Sequence, residues 1–313
     1  MTDPSADTGS TSGSGAKKKG GFAFAHLAFI IALIPALFIV GAMMATHIGA
    51  LDVDTGFRLL TLRIAPKLAV GALVISVLSL LISLFKDHAR YGLWAMAAVI
   101  LSGGVTAGYF VYERMLKQYP PIADVATNWD TPLTFSDKLI QDRGPKAMPV
   151  EDDPRVPRTQ SIEWGGKTIA QINAVTCPGA HGLVGKHVSE DAVAGMLTAN
   201  HYIVFGRAPW RVEATYQDNF FGFKSDVVVR LDPERLDVRS TGRDDLPDLG
   251  GNCRRVTDLV TKIRALPDIA PPSEPAAPAS ASAPGTSAPN TSASAQSGAV
   301  PAPAGGDDGG GGD

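Results

Sequence analysis

The chain reads as an N-terminal three-helix transmembrane region, then an α+β soluble domain built as an antiparallel meander with a C-terminal helix, then a disordered tail. Three observations lead there. Nearly all long apolar runs fall between Phe22 and Tyr112, alternating and helical patterns follow, and everything after Pro267 is Pro, Ala, Ser, Gly and a few acids. The 313 residues carry a net charge of −3 and a pI near 6.1, without the broad basic face that neutralises phosphates, so no nucleic-acid partner is expected.

Residues 1–21 are expected to be a disordered cytoplasmic N-terminus, and residues 22–112 to hold three spans at about 22–44, 68–85 and 92–112. A helix needs about 20 apolar residues to cross the hydrocarbon, and no Asp, Glu, Lys or Arg interrupts these three stretches. Pro35, Gly103 and Gly104 are read as packing notches, tolerated where neighbouring helices re-satisfy the backbone. A cleaved signal peptide is the rival reading of the first span, but its apolar run exceeds the roughly 7–15 residues of a signal core. Lys17, Lys18 and Lys19, with Lys86 and Arg90, outweigh Arg58, Arg63 and Lys67, which face Asp52 and Asp54. The bias keeps the N-terminus and second connection cytoplasmic and sends the domain across, into the periplasm of a bacterium whose inner membrane holds the spans.

Tyr119, Pro120 and Pro121 make a stiff exit to a domain expected over residues 118–266. Ser161–Trp164 reads as a weak strand and Ser189–Leu197 as a helix capped by Ser189, with Glu190 and Asp191 at its positive end. Strands are expected at His201–Phe205, along Trp210, Val212, Ala214 and Tyr216, at Asp226–Leu231 and at Leu236–Ser240, with Asn219 and Gly222 in a turn. Leu249, Cys253, Val256, Val260 and Ile263 form the apolar stripe of a last helix that Asp248 can cap. Asp248, Asn252 and Arg255 lie along the border of that stripe. Residues 267–313 bury too little apolar surface to offset their ordering entropy.

Three patches resemble a bacterial family catalogued as the domain of unknown function 1499. The first is Pro120, Pro121, Ile122, Asp124, Val125, Thr127, Asp130 and Pro132; the second is Phe221, Gly222, Phe223, Lys224, Asp226 and Val227. The third runs Asp237, Val238, Arg239, Ser240, Arg243, then Asp248, Leu249, Gly250, Asn252, Arg255. The resemblance covers about Gln118 to Leu266, brings membrane spans as a common attachment, and implies no established activity. Asp244 to Pro247 depart from the family pattern, where a Gly and a basic residue are expected, and lower the local charge.

Ala180–His187 approaches a phosphate-binding loop, but its first Gly falls early, at Gly179, and His187 replaces the Ser or Thr that would hold magnesium, so it reads as a Gly-rich turn. Cys177 and Cys253 read as a disulfide pair if the compartment is oxidising; a zinc set with His181 and His187, or two separate core thiols, are the alternatives. No metal and no cofactor is expected. G-x-S-x-G and H-E-x-x-H are missing, and Glu213 with Asp226 or Asp248 is a weak acid and base pair. Arg239, Arg243, Asp248, Asn252 and Arg255 are the richest polar constellation. They read either as an anion grip or as a clamp in which Asp248 and Asn252 pin the arginines. Phe220, Phe221 and Phe223 at a hairpin turn either touch lipid or a partner, or fold back onto the core. The expected protein is therefore a non-catalytic envelope module whose partners are the lipid bilayer and either an envelope protein or a lipid-like ligand. The alternative is a metal-independent extracytoplasmic enzyme acting on an anionic substrate.

Overall fold

The computed structural model describes residues 20–86 and 88–270. The expected disorder of the N-terminus and tail and the Lys17–Lys19 cluster lie outside the described residues, as do the side chains of Lys86 and Arg90. Helix α1 (Gly20–His47) is followed by a π-helical segment, Asp54–Ile64, continuous with α2 (Ala65–Lys86), and then by α3 (His88–Gln118). Each is longer than expected from hydropathy alone, because the helices run on through the polar flanks. Phe24–His47, Asp54–Phe85 and Tyr91–Gln118 are long and apolar enough to cross a membrane.

Small side chains set the close approach of the three helices. Ala65, Ala69, Ala72, Ser76, Ser79 and Ser83 repeat down one buried face of α2, against Ala25, Ala28, Ala32 and Ala42 of α1 and Ala95, Ala98 and Ser102 of α3. In lipid, association depends on such van der Waals seams and on hydrogen bonds between helices. Pro66 has no amide to continue the i→i−5 pattern seen where Ala65 N–H bonds the Leu60 carbonyl. The carbonyl freed five residues back, that of Thr61, accepts the Tyr109 hydroxyl at 2.7 Å, so a neighbouring helix supplies the missing donor.

The domain centres on one antiparallel sheet of β1 (Asp124–Ala126), β2 (Leu183–Val184), β3 (Ile203–Ala208), β4 (Arg211–Gln217), β5 (Lys224–Leu231) and β6 (Arg235–Gly242). The order is β1-β6-β5-β4-β3, with β2 beside the other half of β6. Between these strands lie α4 (Asp137–Arg143), α5 (Ile169–Thr176) and α6 (Glu190–Ala199), and α7 (Gly251–Arg264) closes the domain. The period of two divides the sheet's chemistry. Val212, Ala214, Val227, Val229, Leu236 and Val238 face α6 and α7, where they pack on Val193, Leu197, Val256, Leu259 and Ile263. The residues between them, Glu213, Thr215, Asp226, Asp237, Arg239 and Thr241, are also buried, on the opposite face under the 129–168 segment with Leu133, Phe135 and Leu139.

Several local expectations change in the fold. Ser161–Trp164 form turns rather than a strand: Gly165 N–H bonds the Ser161 carbonyl and Lys167 N–H that of Trp164. Trp210 sits in the β3–β4 turn rather than in a strand. His201 is not in β3; it ends α6 with φ of 65°, its N–H and that of Tyr202 returning to the carbonyls of Thr198 and Leu197. Asp248 caps α7 from outside the cap position, which Gly250 occupies in a left-handed conformation. Its carboxylate accepts the N–H groups of Gly250 (2.9 Å) and Asn252 (2.6 Å). Lys186, in the Gly-rich turn, donates to the Leu266 carbonyl at 2.6 Å and pairs with Asp268 at 2.9 Å, tying down the end of α7.

Candidate functional site

The buried polar face of the sheet is an ion-paired layer. Arg239, with no exposed surface, donates twice to Asp124 (3.0 and 2.6 Å) and also to the carbonyls of Leu133 and Glu151. Arg243 donates twice to Asp226 (2.9 and 2.8 Å) and to Asp142, while Arg143 reaches Asp226 from α4 at 2.6 Å. Burial works against the charge of Arg243, yet Asp226 and Asp142 outweigh it and hold its pKa above the usual value. Asp237 is opposed by burial but held below the usual carboxylate range by hydrogen bonds from Arg230, Asn128 and Thr127, with Arg235 adding its charge. Glu213 accepts from the backbone and hydroxyl of Ser136. A buried charge is tolerated only when paired and hydrogen-bonded in this way.

The five-residue polar constellation is thus divided by the sheet. Arg239 points to the ion-paired face, and Arg243, just past β6, joins the same layer, while α7 packs on the opposite face. Asn252 accepts from Ser240 at 2.6 Å and donates to the Ala123 carbonyl at 2.8 Å, and Arg255 donates to Asn252 and lies 4.3 Å over the Tyr216 ring. Asp248 forms no hydrogen bond or ion pair with Arg239 or Arg243; the first is paired with Asp124 and the second with Asp226 and Asp142. Asp124, Asp142 and Arg143 escape a reading of local spacing because their partners lie 115, 101 and 83 residues away in sequence. Asp124 and Asp226 do stand within the family-like patches, the one signal that pointed to Asp124.

Phe221 and Phe223 meet the chain's own helices. Their rings lie 4.8 and 5.1 Å from the ring of Phe57, which also meets Tyr112 at 6.3 Å. Gly222 has φ of 75°, and a side chain there would come within 2.8 Å of the Gln217 amide and 3.1 Å of the His47 backbone. On the other side of this seam Arg58, paired with Asp54 at 3.3 Å, donates to the carbonyl of Asp245. Between these contacts lies a cavity of about 280 Å³. Phe57 and Tyr112 line it from the helices, Phe223, Leu246, Pro247 and Leu249 from the domain, and Lys224, Asp244, Asp248 and Asn252 supply its polar groups. Burial pushes the carboxyls of Asp244 and Asp248 up, in Asp244 against the nearby charge of Arg58 and in Asp248 against the amides it caps. Leu249 has φ of 50°, a left-handed backbone rare for a branched side chain, and so presents strain at the cavity wall. A second cavity, about 520 Å³, shares Ala123, Leu246 and Pro247 with the first and is walled by Met148, Pro149, Val156 and Pro157.

Cys177 and Cys253 are bonded, with Cα atoms 5.6 Å apart, joining the end of α5 to α7. Each thiol is taken by the other and not by His181 or His187.

Three candidate membrane-spanning helices carrying an α+β domain define a membrane-anchored protein. Residues 124–263, which span the whole sheet and α7 as far as Ile263, match the model of a family described as Protein of unknown function (DUF1499). No curated protein and no solved structure matches the chain.

Proposed function

We propose that the chain is a non-catalytic module of the bacterial cell envelope, anchored by its three helices in the inner membrane, that binds a lipid-like ligand at the seam between helices and domain. The seam cavity carries this reading. Its wall is apolar on both sides, its polar groups other than Lys224 and Ser225 gather on the 244–252 segment, and two aromatic residues of the membrane helices form part of it. An amphiphile meets in such a place an apolar wall for its chain and hydrogen-bonding groups for its head. Of the residues expected to bind, Asp248, Asn252 and Phe223 line this cavity and Phe221 buttresses it through Phe57. Arg239 and Arg243 belong to the scaffold, since their donors are already engaged. Glu213, Asp226 and Arg243, the groups an enzyme would need, line neither of the two cavities described. A periplasmic domain is supported by the basic residues at 17–19, 86 and 90, which in the sequence outweigh Arg58, Arg63 and Lys67 of the first loop.

The test is native mass spectrometry of the full chain after extraction in a mild detergent. The wild type should carry a co-purified amphiphile, released by organic solvent. Ser225→Phe, which fills the cavity from β5, should lose the adduct while keeping the far-UV spectrum and melting temperature of the wild type. Wild type without an adduct, or an adduct indifferent to Ser225→Phe, would remove the reading.

A further inference from the structure

The turn between β4 and β5 carries Phe220, 66 % exposed, at a position where a turn in water would present a polar side chain. Its height is set by its neighbours. Phe221 and Phe223 rest on Phe57, which lies within the candidate span Asp54–Phe85, and Gly222 lies against His47, the last residue of the candidate span Phe24–His47. That first span has 24 residues, about 36 Å of helix against about 30 Å of hydrocarbon, so its ends belong in the headgroup layer. Phe220 is two residues before Gly222, near the same level, and Ile48, the residue after His47, is likewise exposed. The nearest acid cannot oppose lipid contact strongly, because the carboxylate of Asp218 is turned onto the amides of Phe220, Phe221 and Phe223.

We propose that this hairpin tip is a bilayer-contacting element, with Phe220 seated at the boundary of headgroups and acyl chains in the leaflet on the domain's side. Phe side chains on the apolar face of an interfacial segment bury at that depth, at the boundary of headgroups and acyl chains. The contact is apolar, so it holds on lipids of any headgroup charge. It rests on the helices crossing the membrane and not on the seam ligand. The opposite end of β4 supplies a built-in contrast: Trp210 is 53 % exposed but stands roughly 20 Å away along the strand, in the aqueous phase.

The full chain is reconstituted in phosphatidylcholine vesicles, with or without phosphatidylglycerol, and bears a nitroxide on Phe220→Cys or Trp210→Cys. The native cysteines are bonded to each other, so the introduced thiol takes the label, and wild type treated in parallel supplies the background. The ratio of oxygen to nickel-chelate accessibility should be several-fold higher at 220 than at 210 in both lipid mixtures. Equal ratios would overturn the proposal, and so would a difference that appears only with the anionic lipid. Because a label can seek the bilayer by itself, Phe220→Trp provides a second measurement. Brominated phosphatidylcholine should quench its added emission relative to wild type; added emission that lipid bromine leaves unquenched would equally sink the idea.

Discussion

Arg239 lies where a hydrophobic residue would ordinarily complete a core, without exposed surface and with its guanidinium 5.1 Å from the Trp129 ring. Its two bonds to Asp124 balance charge, and two carbonyls take two more of its five donors. Removing one member of such a pair strands the other, which costs about 3–5 kcal/mol, whereas replacing both with apolar groups of similar volume is often nearly neutral. Arg239→Ala should therefore destabilise the chain by about that amount in denaturant titrations. Arg239→Met combined with Asp124→Leu should recover most of the loss. A single-variant cost below about 1 kcal/mol would mean that water already reaches Asp124 and that the pair is not a buried one. At this scale the amino-acid order was suggestive but incomplete. Asp237, Val238, Arg239 and Ser240 alternate as a strand should, yet which carboxylate meets Arg239 depends on a residue 115 positions earlier.

The elements of the domain are joined by long-range ties, of which the Cys177–Cys253 bridge is covalent and closes a loop of 76 residues. It links the C-terminal end of α5 to the first turns of α7, the helix whose apolar stripe was the clearest in the sequence. Closing so long a loop restricts the unfolded chain, a stabilisation of roughly 2–4 kcal/mol in this setting. Reduction should lower the unfolding midpoint correspondingly without abolishing the fold, because Val256, Leu259, Val260 and Ile263 stay buried against the sheet. Peptide mapping without reductant should recover a linked pair containing both cysteines. Free, alkylatable thiols in protein taken from the native membrane would refute the bridge. Helices α4 and α5 were not anticipated at all. They have 7 and 8 residues, too few for a period to emerge, and are stabilised by Ser136 and by a Thr168–Gln171 capping box rather than by a long amphipathic face.

For the whole molecule the consequential feature is the seating of the domain on its own membrane helices. Phe57, Arg58 and Tyr112 meet the hairpin and the 244–249 segment, so the domain is held against the bundle rather than hung from a linker. The ends of α1 and α3 and the start of the π-helical segment share the domain's side, which places the α2–α3 connection at the other. Alkaline phosphatase fused after Ala265 should accordingly be active, and green fluorescent protein at that site dark. The opposite pair of results would invert the orientation, making Arg58, Arg63 and Lys67 the dominant basic cluster.

The sequence by itself determined the three apolar helices, the meander of four long strands, α6 and α7, because each rests on a periodicity internal to a short stretch. Apolar runs, alternation and the 3.6-residue stripe are local properties, and they survive without knowledge of partners. Tertiary structure alone decided which residues form sites. The sheet places Arg239 and Arg255 on opposite faces, although both belong to one run of residues, and the hairpin folds Phe221 and Phe223 onto Phe57, more than 160 residues earlier. The seam cavity exists only once both halves of the chain have met. Side-chain direction alternates faster than sequence proximity can convey, and hydrogen bonds and ring contacts depend on distances in space, so those assignments awaited the fold.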